Sequence, residues 1–317
     1  MANITVLSGG IGGARFIRGL KEAATDAHIT VIGNTADDIR LHGLHISPDL
    51  DTVMYTLGGG VHEGQGWGRA DESFTVAEEL AAHGVGPDWF TLGDRDIATH
   101  LIRTSMMSAG YHLSEITEAL CDRWRPGVRL VPMSDDRVET HVIIDEGDGP
   151  RAIHFQEWWV RLHAKVPAER IVIVGVEDAS PAPGVRQAIA EADVIILPPS
   201  NPVVSIGPIL GVPGIRDALS ESAAPVVGLS PIIGGAPVRG MADACLAAIG
   251  VETSARAVAG LFTDVLDGWL VDTSDAAAVP EIESSGVTAR AVPLLMRDVA
   301  ATAAMATAAL DLAAELR

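Results

Sequence analysis

The chain has 317 residues, 48% of them hydrophobic, with 22 Lys and Arg against 42 Asp and Glu, for a formal charge of −20. So much apolar material argues for a full-sized core and against disorder, while the acidic balance argues against DNA, RNA or an anionic membrane as partner, since those need basic surface. A small anionic substrate stays open, because it needs only a local positive site.

Ile4 to Leu7 reads as a short strand that runs into glycines, Gly12 to Ala24 has helical spacing, and Ile29 to Gly33 reads as a second strand. Strand, loop, helix and strand in that order open a doubly wound, mostly parallel sheet of Rossmann-like α/β type. Asp51 to Leu57 is expected to be helical, with Asp49 or Asp51 near its N-cap. Helical patterns follow at Glu72–His83, Asp94–Ser108 and Ser114–Trp124, so residues from about 58 to 127 read as a helical insertion on the core. Val128–Met133, Val138–Asp145 and Ala152–Val160 are strand-like and suggest a small antiparallel patch. The α/β rhythm resumes at Ile171–Val174, Val194–Leu197 and Val226–Leu229, β-branched runs of the kind buried on both faces. The Ala-rich stretch from Ala300 to Leu316 reads as a packed helix. The expectation is one catalytic domain over residues 1–317.

Cys121 and Cys245 stand far apart with no C-x-x-C pairing, which suits a reducing, cytoplasmic setting. The opening Met1-Ala-Asn-Ile-Thr-Val-Leu carries no pattern of an export signal. No apolar run reaches the roughly 18 residues a bilayer span requires.

Two features carry chemistry. Leu7-Ser-Gly-Gly-Ile-Gly-Gly-Ala-Arg15 places Gly9, Gly10, Gly12 and Gly13 between a strand and a helix, the context in which bare N–H groups and a helix dipole hold phosphate. The spacing is neither a P-loop nor a clean G-x-G-x-x-G, and a tight turn for strand–helix packing is the plain alternative. Arg15 either adds a charge to a held anion or is solvated. Behind the loop crowd Asp37 and Asp38, in Asn34-Thr-Ala-Asp-Asp, and Asp49 and Asp51, in Ser47-Pro-Asp-Leu-Asp-Thr. Each alone has an ordinary use as a cap, first-turn acid or turn residue. Four beside a phosphate loop suggest a Mg²⁺ site, since carboxylates tolerate phosphate when a hard cation lies between them.

Two later loops add polar groups at strand ends. Pro198-Pro-Ser-Asn-Pro-Val-Val-Ser-Ile-Gly-Pro208 offers Ser200, Asn201 and Ser205 for hydrogen bonds to a base or phosphate, and Ser230-Pro-Ile-Ile-Gly-Gly-Ala-Pro-Val-Arg-Gly240 offers Gly234 and Gly235 for close backbone approach. His42 and His45 stand near the aspartates, where loop histidines are more often structural than ligands. No G-x-S-x-G elbow supports covalent catalysis.

Taken in order, Leu7-Ser-Gly-Gly, Asn34-Thr-Ala-Asp-Asp, Ser47-Pro-Asp-Leu-Asp-Thr, Leu92-Gly-Asp-Arg-Asp, Met133-Ser-Asp-Asp, the Pro199–Leu210 loop and Ser230-Pro-Ile-Ile-Gly-Gly-Ala-Pro-Val resemble the 2-phospho-L-lactate transferase family (CofD/FbiA) of deazaflavin coenzyme F420 biosynthesis. The Gly12-Gly-Ala-Arg15 continuation looks like the actinobacterial branch. The resemblance implies a Rossmann-like core, a homodimer, and Mg²⁺-dependent transfer of a phosphorylated three-carbon acid from a guanosine-diphosphate-linked donor to the deazaflavin FO, with release of GMP. The acid is enolpyruvate in the actinobacterial branch and lactate in the archaeal one. It further implies Asp37, Asp38, Asp49 and Asp51 at the metal, Asp51 and Thr91 near FO, and Asp49 and Asp51 in catalysis. Gly9 to Gly13, Arg15 and the Ser200–Ser205 loop would hold the nucleotide. Two rivals stand beside it. One is a nucleotide-sugar-binding regulatory protein without catalysis; the other is an NAD-dependent dehydrogenase, disfavoured because the second strand ends in Gly33-Asn34 rather than in an acid.

Overall fold

The computed structural model describes residues 1–317. Seven parallel strands form the central sheet: β1 (Asn3–Ser8), β2 (His28–Gly33), β3 (Arg129–Pro132), β4 (Val194–Leu197), β5 (Val226–Leu229), β6 (Gly268–Val271) and β7 (Thr288–Ala291). Their spatial order is 3-2-1-4-5-6-7, and every neighbouring pair is parallel. The order reverses between β1 and β4, so the crevice outside their carboxyl ends is the expected ligand position of a doubly wound sheet. The runs Val-Ile-Ile-Leu, Val-Val-Gly-Leu and Gly-Trp-Leu-Val of β4, β5 and β6 are buried at every residue, which is why they lack alternation.

Helix α1 (Ile11–Ala23) begins directly after Gly10 and turns Ala14, Phe16, Ile17 and Leu20 into the core. No side chain caps its first turn, and none of the residues of that turn is an acid. A late helix, Val299–Glu315, packs along α1. The approach is tight because Gly19 has no side chain: a methyl group there would lie 2.5 Å from Thr302 Cγ2. Helix α2 (Pro48–Leu57) starts with Pro at its first turn and carries Asp49 and Asp51 there, placements that proline geometry and the helix dipole both favour. Helices α3 (Thr75–Ala82), α4 (Asp94–Ser108) and α5 (Leu113–Trp124) occupy the stretch between α2 and β3.

Three small antiparallel sheets complete the fold: the hairpins Ile39–Leu41/Leu44–Ile46 and Ile232–Ile233/Ala236–Pro237, and a three-stranded sheet of Glu139–Asp145, Pro150–His154 and Ala168–Val174. Membership differs from the sequence reading. Residues 129–132 leave the expected patch and become the edge strand β3. Ile171–Val174, expected in the α/β rhythm, pairs antiparallel with Glu139–Asp145 instead. The expected strand Ala152–Val160 ends at His154, and Glu157–Arg161 coils into a π-helical turn that buries Trp158. No helix is long and apolar enough to cross a membrane.

Candidate active site

At the reversal point the glycine loop and the loop after β4 interlock. The Gly9 N–H donates to Ser200 Oγ at 3.2 Å. A methyl on Gly9 would fall 2.3 Å from Ser205 Oγ, one on Gly12 2.3 Å from the Pro199 carbonyl oxygen, and one on Gly13 1.9 Å from Ser8 Oγ. These glycines thus let two loops and a helix start share one small volume. Ser200 and Ser205 are buried beside them. Asn201 is engaged within its own loop: its Oδ1 accepts the N–H groups of Val203 (2.9 Å) and Val204 (3.3 Å), capping the turn Pro202–Ile206, and its Nδ2 faces Cys245 Sγ.

Helix α2 delivers Asp49 to the same point. A methyl on Gly10 would sit 2.5 Å from Asp49 Oδ1, so Gly10 is the space the carboxylate occupies. Asn34, at the end of β2, fixes it: Nδ2 donates to Asp49 Oδ2 (2.9 Å) and to the Val204 carbonyl (3.2 Å), while Oδ1 accepts from the Ala36 N–H (3.0 Å). One buried amide therefore ties the β2 end, α2 and the loop after β4 together. Asp37 lies near Asp49 and keeps a buried Oδ1 with no hydrogen-bond partner. Burial, then the charges of Asp49 and Asp38, hold the Asp37 carboxyl well above its ordinary range. Burial lifts Asp49 to about 7, against the hydrogen bonds from Asn34 and the Gly10 backbone.

Asp38 and Asp51 are placed differently. Asp38 Oδ2 takes Ser47 Oγ–H at 2.7 Å and lies 2.9 Å from His45 Nε2, leaving only a buried Oδ1 without a partner. Burial raises its pKa, opposed by His45. Asp51 is gripped by Arg103 from α4: Nη1 donates to Oδ2 at 3.1 Å and Nη2 to Oδ1. His100 Nδ1 stands 3.7 Å from the same Oδ2. Arg103 is 1% exposed, and although burial penalises its charge, Asp51 holds its pKa above the ordinary value. Both Asp51 oxygens are thus occupied by a cation the chain supplies itself.

Around this centre, Arg15 is half-buried on α1, Thr91 is exposed just before α4, and Gly234 and Gly235 form the exposed turn of their hairpin with φ of +59° and +80°. The Gly234 N–H donates to Asp275 Oδ2 at 2.8 Å. A surface cavity of about 1230 Å³ runs along edge strand β3 under α5 and includes none of these residues. Sequence reasoning missed Asn34 and Arg103 as working residues. A signal for Arg103 existed: α4 buries Thr99, His100 and Arg103 and turns Leu101 and Ile102 outward, the reverse of an ordinary amphipathic helix.

No three carboxylate, histidine or cysteine side chains converge on one point. Mg²⁺ does not require three. It keeps waters and substrate phosphate and takes one or two carboxylates from the protein. The partnerless oxygen of Asp37 and the neighbouring Asp49, set against a phosphate-competent loop, fit that donor set.

The 2-phospho-L-lactate transferase CofD family profile matches residues 4–297. The chain is 68% identical to the phosphoenolpyruvate transferase of Streptomyces griseus, with 99% of each chain covered. It is 56% identical to the phosphoenolpyruvate transferase of Mycolicibacterium smegmatis, with 98% of each covered. In fold it is similar to the crystal structure of protein BH3568 from Bacillus halodurans (TM-score 0.63, 20% identity, 98% of this chain and 99% of that one). With the glycine loop, Asp49, its neighbour Asp37 and the loop after β4 meeting at the reversal point of its sheet, and with this match along its length, the chain belongs to the 2-phospho-L-lactate transferase CofD family of transferases.

Proposed function

We propose that the protein transfers a phosphoenolpyruvyl group from a guanosine-diphosphate-linked donor to the primary ribityl hydroxyl of the deazaflavin FO, forming dehydro-F420-0. The names of its relatives support the enolpyruvyl over the lactyl acid. The hydroxyl oxygen bonds to the phosphorus that bears the three-carbon acid. The bond from that phosphorus to the bridging oxygen breaks, its electron pair leaves with GMP, and the hydroxyl proton is released. Such transfer depends on in-line positioning and on neutralising the equatorial oxygens rather than on a nucleophilic side chain.

The observation that carries the reading is the seating of Asp49 against Gly10, under the Asn34 amide. It sets a carboxylate beside the N–H groups that would hold the diphosphate. Asp37 and Asp49 would hold Mg²⁺, which supplies charge neutralisation to the phosphates when bound. The glycine loop orients the diphosphate, and Ser200 and Ser205 line its floor. Asp51, neutralised by Arg103, is assigned to shaping the FO side together with Thr91, not to the metal. The Tyr55–Asp96 hydrogen bond (2.6 Å) and the Arg103–His100 contact (3.3 Å) hold that wall rigid. We further propose that the enzyme works in the cytoplasm as a homodimer, a state that light scattering measures.

The test is single-turnover transfer with FO and donor, followed by mass spectrometry. Enolpyruvyl product should form with Mg²⁺ and vanish with EDTA, while FO binding persists. Full turnover in EDTA would end the metal assignment, and tight UDP-sugar binding without turnover would favour a regulatory role.

A further inference from the structure

Beside the glycine loop lies a cationic corner that the reading above leaves largely unused. Arg15 and Arg18 stand on α1, and the segment after the Gly234–Gly235 turn brings Arg239 to the start of that helix from the other half of the sheet. Arg239 Nη2 donates to the Gln65 carbonyl, and its Nη1 covers Gly66. A methyl on Gly66 would lie 3.2 Å from both Arg239 Nη1 and Ile11 Cγ2, so the guanidinium sits next to the first residue of α1. Burial, then the charges of Arg239 and Arg18, depress the pKa of Arg15. One carboxylate, Glu63, acts on this group, and it is paired with Arg18 at 2.7 Å. Arg15 and Arg239 form no ion pair within the chain, although acids outnumber bases 42 to 22. Like charges held together at the mouth of an anion-binding loop repel unless an oxyanion joins them.

We propose that Arg239, with Arg15, forms a two-guanidinium clamp that closes over an oxyanion of the donor, either its diphosphate or its three-carbon carboxylate; this rests on the transferase reading. Planar guanidinium forks suit both groups. The clamp joins the two halves of the sheet through the ligand, because Arg15 follows β1 and Arg239 follows β5.

The test compares wild type, Arg239→Gln and Arg239→Lys by calorimetry with GDP, GMP and guanosine, and by steady-state kinetics with donor and FO. Arg239 is exposed, so folding is expected to survive, and melting curves check this. If the diphosphate is held, Arg239→Gln weakens GDP about 10- to 100-fold, the range of a lost charge-assisted contact. Guanosine is then unaffected, and Arg239→Lys recovers part of the loss. If the carboxylate is held, GDP affinity is unchanged and the KM for donor rises by a similar factor with FO binding intact. Arg239→Gln matching wild type within twofold in both arms overturns the clamp and leaves the transferase reading standing. A wild-type protein that neither binds GDP nor turns over donor removes both.

Discussion

Replacing Arg103 by Met tests whether Asp51 is a structural anion or a free ligand. The guanidinium is 1% exposed and Asp51 4% exposed, and two donors bind both carboxylate oxygens. Removing one member of a buried pair strands the other's charge, at a cost of about 3–5 kcal/mol. That is a large share of the ~5–15 kcal/mol by which domains are stable. Removing both charges, in Arg103→Met/Asp51→Leu, should cost much less than the sum of the single losses, because apolar groups of similar volume replace such pairs at little net cost. The coupling expected from urea unfolding midpoints at constant m is therefore at least about 2 kcal/mol. A loss below about 1 kcal/mol in Arg103→Met, or strict additivity in the double variant, would falsify the pairing and return Asp51 to the list of metal ligands.

Gly10→Ala drives a methyl to 2.5 Å from Asp49 Oδ1, so the carboxylate must swing. Activity and Mg²⁺ affinity should fall about tenfold or more with little change in melting temperature; unchanged Mg²⁺ titration curves would contradict this. Gly12→Ala meets the Pro199 backbone carbonyl at 2.3 Å, which cannot rotate away, and stability should fall by about 1–3 kcal/mol in chemical unfolding. The acid pair makes a pH prediction. The ordinary Asp value is 3.8 and burial lifts Asp49 to about 7, so the folded protein keeps a proton that the unfolded chain releases. Relative to Asp49→Asn, metal-free wild type should lose stability as pH rises from about 4 to 7 and then level off. Added Mg²⁺ should raise its melting temperature more at pH 8 than at pH 5. A wild-type advantage that grows with pH in EDTA would refute the assignment.

Much of this molecule was legible because the informative runs are unambiguous. Val194–Leu197 and Val226–Leu229 have no polar position, so they can only be strands buried on both faces. The glycine loop and the aspartates stand out because their residue types serve chemistry better than packing. Elsewhere pattern did not determine partner. Ala168–Val174 is as β-branched as the core strands, and only its pairing with Glu139–Asp145 assigns it to the small sheet. The Trp158–Trp159 stretch has strand propensity, yet burying the Trp158 ring and donating its Nε1–H to the Val166 carbonyl outweighs that preference. Arg103 escaped notice because sequence shows a charge without showing the carboxylate waiting for it 52 positions earlier. Asn34 escaped because a small amide draws no attention until three segments are seen to hang from it.

The close crossing at Gly19 and Thr302 sets an order on how the protein can be made. The helix that carries the glycine-rich turn finds its cover in residues 299–315, far along the chain. During synthesis the flank of α1 stays wet until residues 299–315 have emerged, and the glycine-rich turn acquires its full backing only when that helix docks.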